Sequence, residues 1–168
     1  MLRFNSDHKF KIMQIADTQE IPAVSPDTLS LINNALDREK PDLVIFTGDQ
    51  IKGYSKKFKK DPATIEGTID TLVEPVAKRN IPFMVTYGNH DAQCGVDNRG
   101  QYKFYAKYDN FISGDLRNAD DVGTADIQIY SSTEDKPVFE LYIIDSHGKA
   151  KDGAGYAPVD KEQIKWYV

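Results

Sequence analysis

Short apolar runs alternate with amphipathic segments over the first half of the chain. Three short apolar runs are interpreted as strands buried on both faces of a sheet: Phe10–Ala16, Leu43–Phe46 and Ile81–Thr86. Between them, apolar residues recur at helical spacing, which predicts one helix over about 26–39 and another around Ile65–Val76. Because such strands alternate with helices, the chain is predicted to adopt an α/β fold with a parallel sheet.

The second half of the chain has a different pattern. The segments Ala125–Ser131 and Pro137–Ile144 flank a short polar turn, and together they predict an antiparallel hairpin. A last helix is predicted to begin near Asp160, and no residue that would stop it precedes Val168. No repeat or low-complexity linker divides the sequence, so residues 1–168 are predicted to form a single domain.

Composition narrows the class of protein. Hydrophobic residues make up 40% and charged residues 28% of the chain, which is typical of a globular domain. The net charge of −5 disfavours broad binding to nucleic acid or to an anionic membrane. The single cysteine, Cys94, excludes an internal disulfide and is expected to be a small buried residue. Without a signal peptide or a transmembrane run, the default expectation is a cytoplasmic protein.

Each of the three apolar strands is followed by polar residues that can bind metal ions. These clusters are Asp17-Thr18-Gln19, Gly48-Asp49-Gln50 and Gly88-Asn89-His90-Asp91. Ligands bind at the carboxyl ends of strands in open α/β sheets, so the clusters are expected to converge in space. Their carboxylate, amide and imidazole groups suit divalent manganese, iron, zinc or magnesium. Gly48 and Gly88 are expected to let the chain turn sharply off each strand.

The order of these motifs resembles that of the calcineurin-like metallophosphoesterases, which include purple acid phosphatases and many bacterial phosphohydrolases. Members open with D-x-H, G-D and G-N-H-D/E, and this chain reads D-T-Q, G-D and G-N-H-D at the corresponding strand ends. The segments 141–147 and 163–167 also look like a subgroup of bacterial and fungal phosphohydrolases. The resemblance spans nearly the whole chain. It implies the N-terminal part of an α/β/β/α sandwich, with a mostly parallel first sheet followed by the hairpin.

The resemblance also implies a role for each motif residue. The implied metal ligands are Asp17 and Gln19 on a first ion, Asn89 on a second, and Asp49 between the two. His90 would act as the acid–base or charge-stabilising group, and Asp91 would hold its ring. The implied activity is hydrolysis of a phosphate ester, with a binuclear metal centre as the cofactor. Gln19 stands where members have histidine, and an amide oxygen is a weaker ligand than imidazole.

The chain departs from the family in its histidines. Members have a later lone histidine and a final G-H-x-H motif, whereas this chain contains only His8, His90 and His147. His8 is expected to be exposed, and His147 to lie in a loop, with metal binding as its less favoured alternative. The last predicted helix also lacks a C-cap or other stop signal. Together with the histidine count, this predicts that the domain is truncated at its C-terminus.

Several alternatives stay open. Among enzymes, the alternative is a haloacid-dehalogenase-type phosphatase, a family with the motif D-x-D-x-T after the first strand. Gln19 stands where the second aspartate of that motif would be, which disfavours this alternative. A catalytically inactive fragment or binding module that retains the fold is the alternative outside enzymes, and the missing histidines favour it. The lysine-rich segment 52–60 could attract an anionic substrate, although a solvated loop is the favoured interpretation.

The motifs imply a phosphate ester as the partner but do not choose among monoester, diester, nucleotide and phosphoprotein. An incomplete second sheet would leave an apolar face or a strand edge near residues 125–144 uncovered. A homo-oligomer that buries this face is therefore left open.

Overall fold

Two packed β-sheets with helices outside them form the architecture, in a computed structural model that describes residues 1–150, 153 and 155–168. The strands are β1 (Leu2–Arg3), β2 (Ile12–Ile15), β3 (Leu43–Thr47), β4 (Phe83–Thr86), β5 (Asp115–Leu116), β6 (Ala125–Tyr130) and β7 (Pro137–Ile143). The helices are α1 (Pro26–Glu39), α2 (Pro62–Ala77), α3 (Asn98–Ala106) and α4 (Lys161–Tyr167). The predicted α/β fold is confirmed.

The first sheet is parallel and follows the order β2-β3-β4. Helix α1 connects β2 to β3, and α2 connects β3 to β4. Local sequence fixes where both helices begin, because Ser25 and Asp61 cap their first turns and each is followed by proline. The predicted helix over 26–39 is confirmed at both ends.

The central strand β3 explains why this sheet needs a layer on each face. Val44 and Phe46 pack in the cluster that includes the helices, whereas Leu43 and Ile45 pack against the second sheet. Successive side chains of a strand point to opposite faces, so a continuous apolar run requires burial on both. The helices cover one face of the parallel sheet, and the second sheet covers the other.

The second sheet is mixed and is centred on β6. Strand β7 pairs antiparallel with one edge of β6, while β1 and β5 pair with the other. The predicted hairpin is therefore confirmed, with each strand one residue shorter than expected. In the described part of the chain, the outer edge of β7 pairs with no strand, and Val138 and Phe139 are about half exposed (54% and 50%).

Strand β2, which corresponds to the first predicted strand, is less buried than predicted. The run Phe10–Ala16 was expected to be buried on both faces, but β2 alternates, with Ile12 and Gln14 exposed. Strand β2 lies at the edge of the parallel sheet, and its other residues, Met13 and Ile15, pack towards the helices.

Among the described residues, no helix combines the length and the apolar character that crossing a membrane requires.

Candidate metal centre

The three polar clusters lie side by side at the carboxyl ends of β2, β3 and β4. Backbone pairing continues beyond the first two strands: the Asp17 N–H donates to the Gly48 carbonyl (3.0 Å), and the Gln19 N–H donates to the Asp49 carbonyl (2.9 Å). The Asp49 carboxylate accepts the His90 N–H at 2.7 Å, which ties the end of β3 to the end of β4. The parallel sheet thus brings together residues that are more than thirty positions apart in the sequence.

Two glycines allow the ends of β3 and β4 to approach this closely. Gly48 has a φ of +100°, and a Cβ built on it would lie 2.3 Å from the Gly88 nitrogen. A Cβ on Gly88 would lie 2.2 Å from Oδ1 of Asp49. Any larger residue at either position would therefore push the strand ends apart. The positive φ of Gly48 fits the sharp turn expected there, whereas Gly88 is needed for the close approach to Asp49.

Three candidate ligands sit in the left-handed backbone region, which residues other than glycine seldom adopt. Asp17 has a φ of 53°, Gln19 of 45° and Asp49 of 51°. Each such residue costs about 1–3 kcal/mol, and such residues persist where the surroundings hold them and cluster at functional sites. Here the strained backbone positions are those of the residues that the sequence predicts to be metal ligands.

Asp91 has a different role from the one expected. Its carboxylate does not hold the His90 ring: Oδ2 accepts the backbone N–H groups of Asp49 (2.7 Å) and Gly88 (2.8 Å), and Oδ1 accepts that of Gln50 (3.0 Å). The side chain is 1% exposed, because Asp91 begins a tight 3₁₀ turn that directs it inward beneath the strand ends. These buried N–H groups need an acceptor, and Asp91 supplies it.

Burial raises the pKa of Asp91 to about 6, against the opposing effect of its backbone N–H donors. At neutral pH the group is still mostly ionised, so it can accept through both oxygens. Asp91 therefore acts as a clamp that fastens Gly88 and Asp49 to each other.

The His90 ring is held by two residues that the sequence did not single out. Its Nδ1 lies 3.0 Å from Oε1 of Gln93, and the Tyr54 ring packs edge-on against it with centroids 4.7 Å apart. Gln93 lies three residues after His90 in the same 3₁₀ turn, and this spacing is the one sequence signal that could have found it. Tyr54 comes from the loop after β3, so its contact depends on the tertiary fold.

Replacing Asp91 by alanine should lower the free energy of unfolding by about 3–5 kcal/mol, because at least three buried N–H groups lose their charged acceptor. Urea denaturation measures this change. Asp97→Ala is the matched control, since Asp97 caps α3 from an exposed position and should cost about 1 kcal/mol. A loss at Asp91 no larger than the loss at Asp97 would contradict the clamp.

The donors at the strand ends fit part of a divalent metal site. Asp49 is 8% exposed, Asp17 is exposed and Asn89 is half-buried, and together with Gln19 they offer carboxylate and amide oxygens. Beside them, a cavity of about 350 Å³ is lined by Asn89 and by Thr86, whose buried hydroxyl has no hydrogen-bond partner among the described residues. A buried hydroxyl without a partner favours a polar occupant for this cavity.

A second group of metal-capable side chains lies elsewhere. Asp121, Asp145 and His147 offer ligand atoms that all lie within 4.8 Å of one another, which no other three carboxylate, histidine or cysteine side chains of the described residues do. Asp17, Asp49 and His90 are therefore not drawn together to that distance. The sequence analysis did not nominate Asp121 or Asp145, because Asp121 follows no predicted strand and Asp145 follows a hairpin strand rather than one of the three parallel strands.

Protein donors already occupy this second group. Arg117 bonds the Asp121 carboxylate at 2.7 Å, and Asn98 donates to that of Asp145 at 2.9 Å. The fully buried Gln163 of α4 donates to the Asp145 carbonyl (2.6 Å) and lies 3.2 Å from His147. The arrangement favours a structural role that fastens the first turn of α4, with His147 in a loop as expected.

The sequence is similar to one family of known proteins. A family model described as calcineurin-like phosphoesterase matches residues 10–167. Phosphatase DCR2 of Saccharomyces cerevisiae is 32% identical over 98% of this chain and 32% of its own length. Two Arabidopsis thaliana proteins, called probable inactive purple acid phosphatases 14 and 29, are 28% and 25% identical over 99% of this chain. The match covers 47% and 48% of those two relatives, so the chain spans about half of their length or less.

Proposed function

This chain belongs to the calcineurin-like phosphoesterase family, and we propose that the ends of β2, β3 and β4 carry part of a metal centre with which a longer protein hydrolyses phosphate esters. The observation that carries the proposal is the joining of these three ends by Asp91 and Asp49. Their bonds place carboxylate, amide and imidazole side chains at one edge of the sheet. That edge is where open α/β sheets bind ligands.

In a complete centre, two divalent ions of manganese, iron, zinc or magnesium would be held in part by Asp17, Gln19, Asp49 and Asn89, with Asp49 as the ligand that both would share. Such ions would stabilise negative charge on the phosphoryl oxygens. They would also lower the pKa of water, so that water can act as a nucleophile at neutral pH. The left-handed backbone of Asp17, Gln19 and Asp49 pre-positions these side chains, and the Asp91 clamp keeps Asp49 and Gly88 fixed while a substrate binds.

His90 is the proposed proton donor to the leaving oxygen. The Gln93 side-chain oxygen can only accept a hydrogen bond, so Nδ1 of His90 carries a proton and donates it to Gln93. When the ring carries a second proton, that proton is on Nε2, and Nε2 gives it to the leaving oxygen while Nδ1 keeps its bond to Gln93. Contact with Gln93 and Tyr54 fixes the ring plane, which orients Nε2 without any bond from Asp91.

The second candidate function is a non-catalytic module that retains the fold. It is favoured by the ligand count, because the chain contains three histidines and only His90 belongs to the strand-end motifs. Two ions need more ligands than two carboxylates and two amides provide. We therefore propose that this chain carries part of the ligand set of a longer domain.

The ligand count predicts that the 168-residue chain binds at most one divalent ion tightly and hydrolyses p-nitrophenyl phosphate little or not at all. A longer protein that continues α4 and adds histidine ligands should hydrolyse this ester in the presence of manganese or iron. Elemental analysis after dialysis against Mn²⁺ and a turnover assay of both proteins measure this. Two tightly held ions in the short chain, or turnover near that of the longer protein, would refute the partial ligand set.

A further inference from the structure

We propose that a pocket beside His90 binds a second phosphoryl group, so that the preferred substrates are esters that carry two phosphates. The lysine pocket, as we call it, has a volume of about 280 Å³ and is lined by Tyr54, Lys56, Lys59, Lys60, Gln93 and Cys94, among others. This inference rests on the proposed phosphoesterase function and assigns a substrate class to the same site.

The loop that carries the lysines is anchored by one buried residue, while Lys56, Lys59 and Lys60 are exposed, as the favoured interpretation of a solvated loop expects. Phe58 is 1% exposed and fixes the 3₁₀ turn Lys56–Phe58, which Ser55 caps through its side chain. Lys59 and Lys60 follow with φ values of 52° and 56°, in the left-handed region. Two consecutive lysines in this region reverse the chain, so that the lysines on either side of Phe58 line one pocket.

The lysines of the lysine pocket are not paired with carboxylates among the described residues. Lys56, Lys59 and Lys60 form no ion pair with a carboxylate in that part of the chain. The neighbouring Asp61 uses its carboxylate to cap α2, where it accepts the Thr64 N–H at 3.0 Å. In a chain with a net charge of −5, three unpaired ammonium groups around one cavity form a local anion-binding surface.

The lysine pocket shares its wall with the proposed active site. Gln93 lines the pocket and lies within hydrogen-bond distance of the His90 ring, and Tyr54 lines it and packs on the other side of that ring. A Cβ on Gly53 would lie 2.0 Å from the His90 carbonyl oxygen, so the loop touches the backbone of the third motif. A ligand in the pocket is therefore adjacent to the group that protonates the leaving oxygen.

The chemistry of the lysine pocket selects a phosphoryl group. A phosphate monoester carries a charge of about −1.5 to −2 near neutral pH and three acceptor oxygens. Three lysines provide matching point charges, and lysine binds phosphate in this way. The volume lies near the lower end of ligand pockets, which suits a phosphoryl group with a small part of the molecule that carries it.

A titration of the metal-free, ¹⁵N-labelled chain tests this assignment by amide chemical shifts. The probes are inorganic phosphate, a bisphosphorylated sugar and a doubly phosphorylated peptide. We expect shifts at Gln93 and Cys94, and we expect the triple variant Lys56→Gln/Lys59→Gln/Lys60→Gln to weaken binding of the bisphosphorylated sugar or the peptide by about tenfold or more. The probe that shifts these amides at the lower concentration identifies the source of the phosphate.

The matched control is Lys9→Gln/Lys57→Gln/Lys136→Gln, which changes the net charge equally at exposed lysines outside the pocket lining. It should change affinity by less than about twofold. Equal weakening in both triple variants, or no shift at Gln93 and Cys94 with any probe, would overturn the assignment. The single charge reversal Lys56→Glu repeats the test with a smaller change to the loop, and unchanged affinity there would also count against the pocket.

This binding measurement needs neither metal nor turnover, so its outcome is separate from that of the proposed hydrolysis. In a longer, active protein, the ratio of kcat/KM for the bisphosphorylated ester to that for p-nitrophenyl phosphate should fall about tenfold in the pocket variant. An unchanged ratio would overturn the inference while leaving the phosphoesterase proposal intact. Absence of all metal-dependent turnover would overturn the phosphoesterase proposal and the substrate class that rests on it, whereas phosphate binding in the lysine pocket is decided by the amide shifts alone.

Discussion

Replacing Asp49 by asparagine should abolish metal binding and hydrolysis together. Asp49 is buried at the end of β3 and is the proposed ligand shared by both ions, so the substitution removes the negative charge that holds them. Asparagine keeps an oxygen that can accept the His90 N–H, which Asp49 accepts at 2.7 Å, so the fold should persist. In this chain we expect Mn²⁺ affinity, measured by isothermal titration calorimetry, to fall by about 100-fold or more.

Asp42→Asn is the matched control for this experiment. Asp42 lies at the opposite end of the same strand, where its carboxylate accepts the Lys11 N–H at 2.7 Å. The charge change is identical, but the proposed centre is not touched, so Mn²⁺ affinity should stay within about twofold. Equal losses in the two variants would mean that general charge, and not a ligand at Asp49, determines metal affinity.

Replacing His90 by alanine should lower kcat of a longer, active protein by about 10²–10⁴-fold while the metal content stays unchanged. The ring is the proposed proton donor, and it contacts Gln93 and Tyr54 at the edge of the centre. Only its backbone N–H bonds to Asp49, and alanine retains that group. Turnover and elemental analysis of the same preparation separate the two effects.

His8→Ala serves as the control for this loss, since His8 is exposed, lies outside the three strand-end motifs and has its Nδ1 2.9 Å from the Ser132 hydroxyl. Its removal should leave kcat unchanged. If His90→Ala lost the metals while activity per bound ion stayed normal, His90 would be a ligand and its assignment as proton donor would be wrong.

The sequence predicted most of the fold because its signals are local. Ser25 and Pro26 mark the start of α1, and continuous apolar runs mark β3 and β4. The glycines before Asp49 and Asn89 marked the strand ends at which side chains could meet. A parallel sheet then brings those ends together whatever the loops between them do.

Features that depend on distant contacts were not predicted. The direction of the Asp91 side chain follows from the backbone N–H groups of Gly88, Asp49 and Gln50, which only the assembled strand ends present. The exposure of Ile12 follows from the position of β2 at the edge of its sheet, which an apolar run does not reveal.

The same limit applies to the two polar groups outside the motifs. Asp121 lies in the loop between β5 and β6, Asp145 and His147 share the loop after β7, and Gln163 joins them from α4. The lysine pocket combines the loop after β3 with Gln93, which lies in the 3₁₀ turn that begins at Asp91. Composition showed five lysines between positions 52 and 60, but their arrangement around a cavity depends on the buried Phe58.

Paramagnetic broadening of amide signals by Mn²⁺ tests most directly whether the metal binds at the three strand ends. Substoichiometric Mn²⁺ added to the ¹⁵N-labelled chain should first broaden the signals of Asp17, Asp49, Asn89 and His90, and Asp49→Asn should remove this effect. The structure offers a competing location at Asp121, Asp145 and His147. Broadening centred on that second group, or broadening at the strand ends that survives Asp49→Asn, would contradict the account.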